Sequence, residues 1–468
     1  MSIRVALLFL FVAGFSVYAW RNWFVSLCGA ITLMAVIQHP DMPRNIGEIQ
    51  GLNPWNFLIL NVTLAWARSR SEEGRVWDMP RYVLVLLGFY LSVILVSALR
   101  LIFGNGDLWG FESGYIISEH MVNCLKWVVP CLLLFDACRT PDRVRIAAAV
   151  ILLPYFLLAV QVIRWVPLSA AAAGPEMNRI TARFIQNEIG FNRVTLSMML
   201  GGASWATLCC LGLARNWRER LCLLGASAII AVGQALTGGR TGYVSWLMVG
   251  VVLSLLRWRR LLLVIPVVVT IVFTAMPGVR DRFLQGFAGD TGNVIVKNDD
   301  YEITSGRTLA WPLVIDKIQE NPIFGYGREA MKTTGIANYL WNELREAFPH
   351  PHNAYLEVLL DNGILGFLGV IPFYLVVLWQ AVRLLLDRSD PFYSAIGGMT
   401  CSLILALLVG AMGGQTFYPR EGSLGMWAAI GLMLRVAVER QRSIENDEPF
   451  FPQDESELQH DETEIMPA

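Results

Sequence analysis

Charge is what this sequence has least of. Only 16% of its 468 residues are Asp, Glu, Lys or Arg, where a soluble domain carries about 25%. Histidine is scarcer still, with five in the whole chain. The eight cysteines (Cys28, Cys124, Cys131, Cys138, Cys209, Cys210, Cys222 and Cys401) fall in or beside apolar runs. None has the CxxC spacing of a metal site or the pattern of an external disulfide framework. Cys124, Cys131 and Cys138 share one helix face, which reads as packing. Internal repeats and low-complexity arrays are also missing. No cleavable signal peptide is expected, because the first apolar run follows Ser2-Ile3-Arg4 directly. The net charge of −1 says little by itself, since what matters is where the charges lie. No nucleic-acid partner is expected.

What is present is apolar. Hydrophobic residues make up 55% of the chain and the mean hydropathy is +0.48. Nearly uncharged runs recur that are long enough to cross a bilayer. The candidate spans are 4–19, 23–38, 54–67, 80–103, 121–136, 145–167, 193–213, 220–237, 241–257, 260–276, 355–386, 393–414 and 422–438. The positive-inside rule tests them. Arginines fall in every second connection: Arg21; Arg68, Arg70, Arg75 and Arg81; Arg139, Arg143 and Arg145; Arg215, Arg218 and Arg220; Arg257, Arg259 and Arg260; Arg383 and Arg388; then Arg435, Arg440 and Arg442. Those connections are assigned to the cytoplasm. The fold expected is an all-α polytopic membrane protein with about 12–13 transmembrane helices. It divides into N-terminal spans (1–276), one large outer loop (277–354), C-terminal spans (355–438) and an acidic, disordered cytoplasmic tail (439–468). Within the loop, helices are expected at 308–320 and 333–347, with turns at Asn321-Pro322 and Gly325-Tyr326-Gly327.

Two of the five histidines stand together in PHPHNAYLEVLLDNGILGFLG, residues 349–369, where the outer loop re-enters the membrane. Pro349 and Pro351 stop any preceding helix, and His352-Asn353 then lies at the first turn of a span. A helix start presents free N–H groups and the positive end of the dipole, which favour an anion. Helix capping is the plain reading of His352-Asn353. Glu357 and Asp361, one turn apart inside a span, are costly enough to be functional or paired, although Asp361-Asn362-Gly363 also suits a helix kink. Gly363 and Gly366 permit close helix approach.

Arginine is unexpectedly frequent on the outer side: Arg179, Arg183, Arg193, Arg240, Arg280, Arg282, Arg307, Arg328 and Arg345 all map there. Five lie in three distinctive contexts, Arg240 in TGGRTGYVSWL, Arg179, Arg183 and Arg193 in NRITARFIQNEIGFNR, and Arg307 in SGRTLAWPLVI. The guanidinium fork matches phosphate oxygens. As a set, these arginines suggest a lipid phosphate or diphosphate ligand; singly, each also suits snorkelling or pairing with Glu188, Asp281 or Glu302. A histidine beside an anion site suggests group transfer from a lipid diphosphate, with His352 taking the acceptor hydroxyl proton. No metal-binding motif stands out. KNDDYE at 297–302 is the nearest and reads as a solvated loop.

His352-Asn353, nine residues, Gly363, two residues and Gly366 fit the pattern H[NSQ]-x9-G-x2-[GTY] of the O-antigen ligase and polymerase superfamily. TGGRTGYVSWL resembles that family's Arg motif, and SGRTLAWPLVIDKIQENPIFGYG its loop segment. RFIQNEIGFN is more loosely similar to an upstream segment. The resemblance covers roughly 180–440. It implies a GT-C-type architecture with one large periplasmic loop in the bacterial inner membrane, and an inverting, metal-independent glycosyltransferase that needs no cofactor. The implied donor is an undecaprenyl-diphosphate-linked glycan, and the implied acceptor is lipid A–core or a growing polysaccharide. By motif, His352 is the candidate base, and Arg240, Arg307 and, more weakly, Arg183 are diphosphate ligands. Asn353, Glu357, Gly363 and Gly366 would support them. Ligase activity is the first expectation and repeat-unit polymerase the second. A lipid-linked oligosaccharide flippase is the alternative of another class, but it would need a matching inner site and internal repeats.

Overall fold

The structure, a computed structural model, describes residues 3–36, 38–43, 45–46, 51–74, 76–104, 110–172, 177–284, 307–345 and 347–446. Each of the thirteen apolar segments falls on a helix. Among the described residues, eight helices are long and apolar enough to cross a membrane: Arg81–Phe103, Ser113–Ala137, Pro141–Trp165, Arg193–Leu213, Trp217–Leu236, Ala354–Leu386, Pro391–Gly410 and Glu421–Asn446. Leu261–Ala275 with Pro277–Leu284, bent by 111°, would make a ninth, while Ile3–Tyr18, Trp23–Ala35 and Arg240–Leu256 are apolar but shorter. The chain is therefore an all-α polytopic membrane protein.

Burial sorts the helices. Pro391–Gly410 and Arg193–Leu213 lie at the centre, 83% and 78% buried, and Arg81–Phe103 and Trp217–Leu236 at the edge, 33% and 28% buried. The side chains left outside are apolar, among them Phe89, Leu263, Val267 and Leu375, as expected where hydrocarbon rather than water is the solvent. Seven of the eight cysteines are buried and all are free.

The arginines assigned to the cytoplasm gather at one end in ion pairs: Arg435–Asp78 at 2.6 Å, Arg139–Asp136 at 2.8 Å, Arg215–Asp142 at 2.6 Å and Arg440–Asp387 at 2.8 Å. The last helix runs on to Asn446, its far turn held by Arg442–Asp78 at 2.7 Å. Residues 447–468 of the acidic tail lie outside the described residues, as do 285–306 of the large loop with KNDDYE and Glu302.

The described part of the loop folds as Arg307–Glu320, Ala330–Thr333 and Ile336–Leu344. These pack around Ala310, Val314, Met331, Leu340 and Phe348, and the cluster reaches Leu360 on the following span. That span, Ala354–Leu386, breaks at Gly363, where φ is 61° and ψ −163°, a region essentially reserved for glycine. The break strands backbone groups that cannot stay unpaired in a bilayer. The loop's Asn-Pro-Ile-Phe-Gly-Tyr-Gly segment satisfies them. Tyr326 N–H donates to Leu360 O at 2.9 Å and Gly327 N–H to Asp361 O at 2.7 Å, while Ile364 and Leu365 donate to Pro322 O and Ile323 O at 2.8 and 3.3 Å. Gly363 is thus a hinge in the backbone and not simply a small contact residue. A Cβ there would lie 2.3 Å from Ile323 O. Gly363→Ala is expected to destabilise by about 3 kcal/mol, combining the backbone cost with displacement of the splice. An unchanged melting temperature in detergent would refute this role. Gly366 faces the Arg81–Phe103 helix, its Cβ position 3.5 Å from Val93.

Candidate active site

Four helices begin around one small cavity of about 170 Å³ that His350, His352, Gly413, Gln415 and Arg420 help to line. They are Arg193–Cys209, Arg240–Leu256, Arg307–Glu320 and Ala354–Leu386. Asn192, which caps the first, lines the cavity. Arg307 Nη2 donates to Gly413 O at 3.5 Å, and Thr241 lies against Gly413. Ala354 N–H donates to Ala411 O at 2.7 Å. Each start contributes the positive end of a helix dipole, so the backbone alone favours an anion here.

The histidines are held by their own backbone. His352 has φ 53°, a left-handed conformation uncommon for a side-chain-bearing residue. This turn lets Asn353 accept from the N–H groups of Tyr355 and Leu356 at 3.0 and 3.3 Å and cap the helix. Capping therefore belongs to Asn353 and leaves the His352 ring available. His352 N–H donates to His350 Nδ1 at 3.2 Å, and the two rings are 4.2 Å apart between centroids. An accepting Nδ1 assigns the proton of neutral His350 to Nε2. Neither ring nitrogen of His352 has a protein hydrogen-bond partner among the described residues. Trp311 Nε1 donates to Pro351 O at 2.9 Å and ties the loop helix to the same turn.

Both histidines are kept neutral. Burial, then the Arg307 charge, lowers the pKa of His352 from 6.5 to about 4. Burial, then His352 and Arg420, lowers that of His350 to about 2. For Arg307 itself, burial and the nearby Arg240 charge pull the pKa down, although arginine stays charged at any relevant pH. Its buried Nε–H has no hydrogen-bond partner among the described residues. A buried guanidinium donor left unmatched beside a second guanidinium is what a bound anion would satisfy.

The structure brings His352, Asn353, Arg240 and Arg307 together, but it treats the other expected residues differently. Arg183 is exposed on Met177–Phe184 and makes no hydrogen bond or ion pair to this group among the described residues. Beside Arg240 stand instead Arg193, whose Nη1 donates to Gly238 O at 2.9 Å, and Arg282, whose Nε donates to the same oxygen at 3.4 Å. Gly238, with φ 68°, makes the turn that presents this carbonyl. Both stand among the outer arginines of the sequence, but no motif assigns them to this group, because their meeting point lies more than forty residues from each.

Glu357 is buried and committed elsewhere. Arg328 Nη1 donates to Glu357 Oε1 at 2.6 Å and to Asp361 Oδ2 at 2.9 Å. Gln415 Nε2 donates to Glu357 at 2.7 Å, and the Tyr418 hydroxyl donates to Asp361 at 2.8 Å. The Arg328 guanidinium lies 3.6 Å over the Tyr418 ring. Burial works against its charge, but Glu357, Tyr418 and Asp361 raise its pKa well above the usual range. Gln415 lines the histidine cavity, so Glu357 reaches the site through that amide. Arg280 pairs with Asp281 at 2.8 Å.

Residues 225–371 match the family model described as O-antigen ligase. An uncharacterized protein of Haemophilus influenzae is 26% identical over 180 residues, covering 34% of this chain and 44% of that one. The exopolysaccharide production protein ExoQ of Rhizobium meliloti is 29% identical over 113 residues, covering 22% and 26%. The chain thus spans less than half the length of these relatives. Arg240, Arg307, His352, Gly363 and Gly366 all lie inside the residues that match the O-antigen ligase model, so the similarity falls on the part of the chain that builds this site.

Proposed function

We propose that this protein is a membrane glycosyltransferase that moves a glycan from undecaprenyl diphosphate to an acceptor hydroxyl on the side of the membrane opposite the cytoplasm. The observation that carries this reading is a neutral histidine with unengaged ring nitrogens beside an orphaned guanidinium donor, where four helix N-termini meet. The acceptor oxygen attacks the anomeric carbon as the bond to the diphosphate oxygen breaks. His352 accepts the hydroxyl proton, and the bonding pair leaves on the lipid diphosphate, whose growing charge Arg240 and Arg307 offset. Transfer of a finished polymer is the first assignment, in keeping with the O-antigen ligase family match. Polymerisation of repeat units is the second, favoured by the similarity to a protein named for exopolysaccharide production. A deletion strain tests the reading. Long polymer accumulating on the lipid diphosphate supports ligase, and single repeat units without a ladder support polymerase. Unchanged lipid-linked and surface glycans would overturn both.

The acid limb of the rate profile is a further prediction. With the His352 pKa lowered to about 4, kcat/KM should hold from neutral pH down to roughly pH 5 and fall only near pH 4. An unperturbed histidine would lose the base form from about pH 6.5. A fall centred near 6.5 would contradict the burial and charge that keep His352 neutral. Folding follows the same sign: the unfolded state binds more protons between pH 6.5 and 4, so stability declines as pH falls through that window.

A further inference from the structure

Across the Tyr418-Pro419-Arg420 segment from the histidine pair lies a second, larger cavity of about 690 Å³. The two cavities share Tyr418, Arg420 and Glu421 as walls. Glu119, Asn123 and Lys126 follow one another along the Ser113–Ala137 span and face Asn56 and Glu329. These groups order one another: Lys126 Nζ donates to Asn56 Oδ1 at 3.0 Å and to Asn123 Oδ1 at 2.5 Å, and Asn123 Nδ2 donates to Glu119 Oε1 at 2.8 Å.

One group is left unmet. His120 is 6% exposed, and its Nδ1 accepts from Arg328 Nε at 3.4 Å, which assigns the proton of the neutral ring to Nε2. That Nε2 has no hydrogen-bond partner among the described residues; Glu329 Oε1 is 3.7 Å away. Against the His120 ring stands Tyr115, 43% exposed, at 5.8 Å between centroids. Fixed donors and acceptors around an exposed amphipathic ring suit a polyhydroxylated ligand, whose hydroxyls both donate and accept and whose C–H face lies on the aromatic surface. Lys126, Arg328 and Arg420 are balanced by Glu119, Glu329 and Glu421, so the lining has no net charge to hold a phosphate, and an acyl chain would leave the polar walls unsatisfied.

We propose that this cavity binds the acceptor saccharide, an inference that rests on the glycosyl-transfer reading above. A transferase needs a subsite on each side of its base. Arg193, Arg240 and Arg307 occupy the leaving-group side of His352, so the attacking hydroxyl arrives from across it. The cavity walls at 56, 115–127 and 418–421 also fall outside residues 225–371. Apart from Arg328 and Glu329, the acceptor is thus met by parts of the chain outside those residues.

The test uses the full chain in lipid nanodiscs and, as probe, the core and repeat oligosaccharides released by mild acid from the source strain's own envelope glycans. Wild type and His352→Ala should bind the probe alike. Tyr115→Ala and the double variant Glu119→Ala/Asn123→Ala, at exposed or half-buried positions, should bind it about tenfold more weakly, and Tyr115→Phe should keep binding. Inorganic diphosphate should not displace the probe. Displacement by diphosphate, or unchanged binding in the cavity variants, would overturn the proposal. Should the cavity variants lose binding while His352→Ala keeps full transfer, the saccharide site stands and the catalytic assignment falls. If His352→Ala abolishes transfer but the cavity variants leave binding and acceptor KM unaltered, the reverse holds.

Discussion

His352→Ala is expected to lower glycan transfer by about 10²- to 10⁴-fold, the range that a positioned general base contributes. The loss should appear in kcat and leave donor affinity nearly intact, because in the proposed site Arg240, Arg307 and helix N-termini, rather than the imidazole, meet the anion. The fold should survive, since Asn353 supplies the cap. Arg307→Ala provides the contrast. Its guanidinium faces the proposed leaving group, so its removal should weaken donor binding and slow the step together. Complementing a deletion strain with each variant, and measuring surface and lipid-linked glycan, checks both. Full rescue by His352→Ala would remove it from the chemistry.

Arg328→Ala should destabilise the protein by about 3–5 kcal/mol, the cost of leaving buried charges without their partner. Glu357 and Asp361 are 3% and 2% exposed, and no other cation makes an ion pair with either among the described residues. Melting in detergent, followed by size-exclusion fluorescence, is the measurement. The triple variant Arg328→Met/Glu357→Gln/Asp361→Asn should recover most of the loss, because it removes the desolvated charges along with their attraction. An Arg328→Ala protein as stable as wild type would show that the triad holds nothing together.

Apolar length was enough to read the helices, since it follows directly from the bilayer as solvent. The His352-Asn353 turn was legible for a similar reason: proline, a capping amide and a helix start are local features. Arg328 was not. It meets Glu357 and Asp361 from 29 and 33 residues away, and no spacing rule pairs a loop arginine with carboxylates inside a later span. The Gly325-Tyr326-Gly327 turn was visible, but its partner was hidden, because backbone pairing with a broken helix leaves no side-chain pattern. His350 has no place in the motif. Its contact with His352 depends on the left-handed backbone between them, which no neighbouring residue announces.

That left-handed step has an evolutionary side. A histidine at φ 53° bears a cost of about 1 kcal/mol that glycine would not. Selection for stability alone would drift position 352 toward glycine, as selection for a rigid scaffold does wherever function is not being watched. The backbone there is shaped for a residue it would be more stable without. A homologue that has lost its chemistry but kept its fold should reveal itself at this position, with glycine or asparagine standing before an unchanged capping amide.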